Sequence, residues 1–188
     1  GQCQMFQGNI RDSFTTFDTI FKEDESKYFL LFDLAESAFK LGEFRVAVEA
    51  IGRIQPILMA RKENVKLIEF LKAVVDKDPT NTDALQSLSD AYIHINDNFN
   101  YVGTLDKLIE CLMRERNFAR ALEVLEKILS MDPGNEKYRK YHRDAFERVY
   151  PNETYIPFGT AGEEAEEAEA SSIFEFDTTE LSSGKAFS

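Results

Sequence analysis

The side chains able to do chemistry in this 188-residue sequence are few and far apart. His94 and His142 are its two histidines, and its two cysteines are Cys3 and Cys111. The histidines fall in separate helical patterns, and neither has a His or Cys at ligand spacing, so neither a metal site nor a histidine-activated nucleophile is indicated. Two cysteines are too few for a disulfide framework and are not spaced as a metal pair. Cys111 sits in an apolar helical pattern and is expected to be a small buried hydrophobe, and Cys3 lies in an expected flexible end. Asn96-Asp97-Asn98-Phe99-Asn100 puts oxygen ligands at alternate positions. However, Tyr101 stands where a calcium loop needs its sharp-turn glycine, and no bidentate Glu follows, which makes the segment an interhelical turn. There is no Gly-rich phosphate loop, Gly-x-Ser-x-Gly elbow or His-Glu-x-x-His. Asn152-Glu153-Thr154 would accept a glycan only in a secreted protein. No catalytic residue, metal or cofactor is expected, and the chain is not read as an enzyme.

Composition points the same way. With 22 basic and 34 acidic side chains the formal charge is -12, which argues against a nucleic-acid partner. Hydrophobic residues make up 43% and there are 16 Phe, enough for a core of ordinary size. No apolar run approaches the ~20 residues that a bilayer-spanning helix needs, and no basic segment followed by an apolar stretch opens the chain. Direct membrane insertion is therefore not expected, and a cytoplasmic location is, although the chain opens on Gly1. Residues 151–188 hold nine acids and one base. Their Glu-rich run, Glu163-Glu164-Ala165-Glu166-Glu167-Ala168-Glu169, repels itself and buries little, so a mobile acidic tail is expected.

Elsewhere apolar residues recur at three- and four-residue spacing, the mark of amphipathic helices. In 28–41 the stripe is Leu31, Leu34, Ala35, Ala38 and Leu41, and Gly42 follows where a left-handed residue closes a helix. Further helices are predicted near 44–59, 62–77, 82–95, 99–114, 117–131 and 135–149, separated by short turns containing Gly, Asn, Asp or Pro. An eighth, near 9–21, is marked by Ile10, Phe14, Phe17 and Phe21 on one face. No strand alternation persists, and helices joined by such short turns pack antiparallel. The fold class is all-α.

Two segments share a signature. Residues 28–61 carry Leu31, Leu34, Ala35, Ala38, then Gly42-Glu43-Phe44, then Ala47, Ile51 and Ile54. Residues 102–135 carry Leu105, Leu108, Ile109, Leu112, then Arg116-Asn117-Phe118, then Ala121, Leu125 and Ile128, and close on Asp132-Pro133-Gly134-Asn135. This spacing resembles the tetratricopeptide repeat (TPR), a 34-residue pair of antiparallel helices with a small residue where the pair crosses and a proline turn to the next unit. Ala47 and Ala121 would allow the close approach, and Phe44 and Phe118 would cover the turns. Between these segments two signals conflict. Asp78-Pro79-Thr80-Asn81 looks like a unit boundary, whereas strict alternation makes 62–77 and 82–95 the two helices of a middle pair; the alternation is taken for the topology. The resemblance implies a right-handed superhelix, an α-solenoid of about three hairpins, with 136–149 as a polar capping helix. The expected divisions are an N-terminal segment 1–27, a repeat domain 28–150 and the tail 151–188.

The resemblance also implies a concave groove that binds a peptide of another protein, and a fold that does not by itself imply catalysis. It directs Phe29, Phe32, Glu36 and Phe39 into that groove, together with Val65, Ile68 and Lys72, then Asp106, Glu110, Met113 and Arg114. Two readings of the phenylalanines stay open. Either the N-terminal helix covers them, or they form an exposed aromatic patch that marks a binding site or dimer contact. The Lys, Asn and Arg set by which some relatives clamp the acidic ends of heat-shock chaperones is missing, because Phe32 and Glu36 stand where Lys and Asn would be needed. In the tail, Ile173, Phe174 and Phe176 form a short apolar motif within acidic surroundings, a pattern that often orders on binding.

The leading expectation is a non-enzymatic adaptor or scaffold for a protein or peptide partner. One alternative is a small chaperone, resembling the acidic three-repeat chaperones of bacterial secretion systems, that forms a homo-oligomer through dimer contacts at Phe14, Phe17 and Phe21. The other is a self-assembling scaffold that uses its own tail as ligand.

Overall fold

A computed structural model describes residues 9–158. Among these residues the chain forms eight α-helices and no strand: α1 (Ile10–Glu23), α2 (Tyr28–Lys40), α3 (Phe44–Ala60), α4 (Asn64–Lys77), α5 (Thr82–His94), α6 (Asn98–Arg114), α7 (Phe118–Met131) and α8 (Glu136–Val149). A turn of 3-10 helix, Glu25–Lys27, leads into α2. The all-α class read from the sequence is the one observed, and every predicted helix is present with its ends shifted by at most two residues. Two compact units are distinguishable, one up to Arg120 and one from Ala121 onward. In the first unit each helix packs on the next and α3 also packs on both α1 and α5, the sequential stacking of an α-solenoid.

The turns show how the repeat is built. After α2, α3, α5 and α6 the chain passes through a residue with positive φ: Gly42 (78°), Lys62 (63°), Asn96 (59°) and Arg116 (60°). Each of the four carries the same pair of hydrogen bonds. The positive-φ amide donates to a carbonyl three residues back, as Gly42 N does to Phe39 O at 3.0 Å. The next amide reaches five back, as Glu43 N does to Ala38 O at 2.9 Å. This double bond set satisfies the orphan carbonyls of a helix end and reverses the chain within two or three residues. The turns after α4 and α7 are of another kind. Asp78-Pro79-Thr80-Asn81 and Asp132-Pro133-Gly134-Asn135 each close with the Asn amide donating to the Asp carbonyl. In each, the Asn side chain then caps the next helix, at Ala84 N (2.9 Å) and Tyr138 N (3.4 Å).

Gly42 and Asn96, Lys62 and Arg116, and Asp78 and Asp132 are all 54 residues apart, as are the first residues of α1, α4 and α7. The unit is thus a 34-residue helical hairpin followed by a third helix. The boundary signature at Asp78–Asn81 and the helix count, in conflict when helices are grouped in pairs, agree when they are grouped in threes. Segments 28–61 and 102–135 are then in different registers of the unit, the first spanning its first and second helices and the second its second and third.

Close packing explains the small residues. Ala35, Ala38, Ala47 and Ala121 have no exposed surface, and neither do Leu31, Leu34, Ile51, Ile54, Leu105, Leu108 and Leu112. Alanine at a crossing lets two helix backbones approach, and leucines fill the space on either side. Pro56 lies inside α3, where it cannot donate to the carbonyl of Gly52. Cys111 is a buried free thiol whose pKa burial raises, in keeping with its expected role as a small hydrophobe.

Candidate partner-binding surface

The aromatic residues of α2 meet side chains of α3 and α4. Phe32 packs on Phe70 with ring centroids 6.0 Å apart, Phe70 on Phe39 at 5.9 Å, and Phe39 on Phe44 at 5.7 Å, all tilted. Lys66 of α4 lays its ammonium 3.7 Å from the centre of the Phe32 ring, a cation–π contact that also covers the ring. One turn earlier, Arg61 stands 5.1 Å from the Tyr28 ring. Glu63 accepts hydrogen bonds from the Tyr28 hydroxyl at 3.2 Å and from Arg61 at 3.1 Å.

The expected groove residues therefore differ in availability. Phe32 is buried beneath Lys66 and Phe70, and Phe39 is half-buried between Phe44 and Phe70, so neither is an open anchor. The aromatic and cationic groups that meet these two rings come from α3 and α4. Phe29 is 47% exposed and Val65 is 70% exposed. They flank the Phe32–Lys66 contact, Phe29 one turn before Phe32 and Val65 beside Lys66. Glu36 and Lys72 are also exposed and Ile68 is half-buried. Asp106, Glu110, Met113 and Arg114 lie on α6, which packs chiefly on α5; Glu110 and Arg114 are exposed, Asp106 and Met113 half-buried. In the 54-residue unit α6 corresponds to α3 rather than to α2 or α4.

Phe14 and Phe17 are buried within the chain and Phe21 is half-buried. α1 packs on α2 and α3, and Asp18 pairs with Lys22 at 2.7 Å and with Arg53 of α3 at 3.5 Å. A dimer contact through Phe14 and Phe17 would require α1 to leave these partners. Cys3, Ile173, Phe174 and Phe176 lie outside the described residues.

In the second unit the chain does something that the sequence reading missed. Residues 151–158, expected to begin the mobile tail, instead run without helix along α8. A hydrogen bond from Glu153 N to Tyr150 O at 3.1 Å turns the chain. Tyr155 then packs on His142 (5.7 Å between ring centres) and on Phe146 (5.5 Å), and Phe158 packs on His142 at 6.0 Å. The Arg143 guanidinium lies 5.3 Å from the centre of the Tyr155 ring, and the Tyr155 hydroxyl is 3.2 Å from His142 Nδ1. His142 is 6% exposed. Burial pushes its pKa below the ordinary histidine value, against an opposing pull from Glu126. Burial also raises the Tyr155 phenol, which Arg143 and Arg139 oppose. A faint signal of this packing was present in the sequence, because Tyr155 and Phe158 bracket a proline in a stretch that precedes the Glu run.

Among the described residues no three or more His, Cys, Asp or Glu side chains gather as a metal site requires, and no helix is long and apolar enough to cross a membrane. One open depression of about 680 Å³ lies between α3 and α5, lined by Gln55, Met59, Asp90, Ile93 and His94 among others. Gln55 bridges its floor by donating to Ser87 O at 3.1 Å.

No protein-family model matches the chain, and no curated protein matches it. Among solved structures, two crystal structures of MamA are similar at 15% identity and a TM-score of 0.42 each. They cover 81% and 83% of this chain and 95% and 93% of their own. Similarity at that level carries no argument about this chain, whose own turns and packing make it an all-helical repeat protein.

Proposed function

We propose that the chain is a non-enzymatic interaction module of tetratricopeptide-like kind, and that the surface formed by α2 and α4 binds a peptide segment of a protein partner. The observation that carries this reading is the pair of exposed apolar side chains, Phe29 and Val65, held on two helices that the Phe32–Lys66 and Phe32–Phe70 contacts lock together. Apolar side chains exposed on a rigid wall and rimmed by charge are what a peptide anchor requires. Lys66, Lys72 and Arg61 near them favour acidic residues in the partner, and Glu36 gives the wall a polarity that sets register. The 34-residue hairpins α2–α3 and α5–α6 support the family reading.

Selection of random displayed peptides on the full chain tests this. The expected result is enrichment of peptides that combine apolar anchors with acids, and at least a tenfold loss of their affinity in the double variant Phe29→Asp, Val65→Asp, with helical content unchanged. Enriched peptides that bind the double variant as well as the parent chain would overturn the reading.

A further inference from the structure

The 54-residue period gives α8 a place in the repeat, because α8 corresponds to α2 and α5 as the first helix of a unit. In α2 the buried stripe includes Leu31, Leu34, Ala35 and Ala38, and in α5 it includes Leu85, Leu88, Ser89 and Tyr92. The corresponding residues of α8 are Arg139, His142, Arg143 and Phe146, and three of them, His142, Arg143 and Phe146, are those on which the ring of Tyr155 lies. The next element of a complete unit would be a helix like α3 or α6, each of 17 residues. Residues 150–158 instead cover that stripe as an extended strap, seated through Tyr155 and Phe158.

We propose that this strap is a latch that opens on acidification, baring the face of α8 whose equivalents in α2 and α5 are permanently buried. The His142 ring sits among Tyr155, Phe158 and the body of α8, and is 6% exposed. The charged groups that face this assembly are Glu126 from α7, and Arg139 and Arg143 from α8 itself beside Tyr155. Protonation does not abolish the hydrogen bond to the strap, since a protonated Nδ1 donates to the phenolic oxygen as readily as a neutral one accepts from it. Its cost is a charge placed in a desolvated pocket. Glu126 offsets part of that cost, and burial is the larger effect.

The sign follows from linkage. The closed latch holds His142 with a pKa below 6.5, and opening returns the ring to water and to its ordinary value, so the open form binds the proton better. The latch is therefore most stable above about pH 6.5 and loses stability as the pH falls from there toward the closed-state value. The strap has no helix or strand of its own, and a segment of so few residues is drawn from the weakly stable end of the local-opening scale.

The test is an NMR titration of the full chain that follows the ring signals of His142, Tyr155 and Phe158, with His94→Gln used to assign the two histidines. The expected result is a His142 midpoint below 6.5, with the Tyr155 and Phe158 signals moving to exposed positions at that same midpoint. In Tyr155→Ala the His142 midpoint should rise toward the ordinary value. In His142→Phe, which keeps an aromatic ring and removes the titration, the strap signals should stay unchanged as the pH falls. Tyr155 and Phe158 signals that remain fixed while His142 titrates, or that move identically in His142→Phe, would overturn the proposal.

Discussion

Helices α2 and α8 hold the same position in the repeat yet are covered in different ways. On α2 the stripe is aliphatic, and Leu31, Leu34, Ala35 and Ala38 are completely buried. On α8 the corresponding stripe carries two arginines, a histidine and a phenylalanine, and an extended strap leaves Arg143 exposed and Arg139 and Phe146 half-buried. A full helix removes water along the whole stripe, so leucine and alanine suffice. A strap covers only what two aromatic rings can reach, so the stripe beneath it must tolerate partial solvation, and cations over rings suit that setting. The cover of α8 thus involves a titratable group, whereas that of α2 depends on apolar area alone.

The largest expected difference comes from shortening one side chain in each of the two stripes. Leu34→Ala should cost about 2–5 kcal/mol, as a fully buried leucine does when it leaves a cavity. Phe146→Ala, at a half-solvated position, should cost roughly 1–2 kcal/mol. Urea unfolding followed by circular dichroism measures both, and equal losses would contradict the contrast drawn between the two covers. The four like turns give a smaller effect. Gly42→Ala should cost about 1 kcal/mol through its positive φ alone, because nothing lies within 4 Å of the added methyl group. Asn96→Gly, at the equivalent turn one unit on, should stabilise by a few tenths to about 1 kcal/mol. A shift of the same sign at both positions would mean that the turns are not equivalent. Smallest of all, Phe99→Ser should change stability by no more than about 0.5 kcal/mol, because Phe99 is 88% exposed at the start of α6.

Helix positions were legible because the helices carry a local record: a stripe at 3.6-residue spacing, and, at the start of α1, α5, α6 and α8, a capping Asn or Asp. Gly42 marked one turn openly. Lys62, Asn96 and Arg116 do the same work in the same conformation, and two of the three are long charged residues that give no local hint of positive φ. The three-helix period was therefore hidden, although the Asp-Pro-x-Asn motifs at 78–81 and 132–135 stood in plain view. At the candidate surface the sequence did not reveal which aromatic side chains are exposed. Phe29 and Phe32 are three residues apart in the same stripe pattern, and only the position of Lys66 and Phe70 on a neighbouring helix decides that one is open and the other covered.

By itself, then, the sequence determined the local terms: an all-α chain, the positions of the eight helices among the described residues, and small residues at the crossings. These depend on interactions within about four residues, which periodicity and capping record directly. The tertiary structure alone decided which aromatic rings face water, the burial of Phe14 and Phe17 of α1 within the chain, and the docking of Tyr155 and Phe158 on His142. Such contacts join residues far apart along the chain, and their free energy depends on what lies across the interface, a quantity that no local pattern encodes.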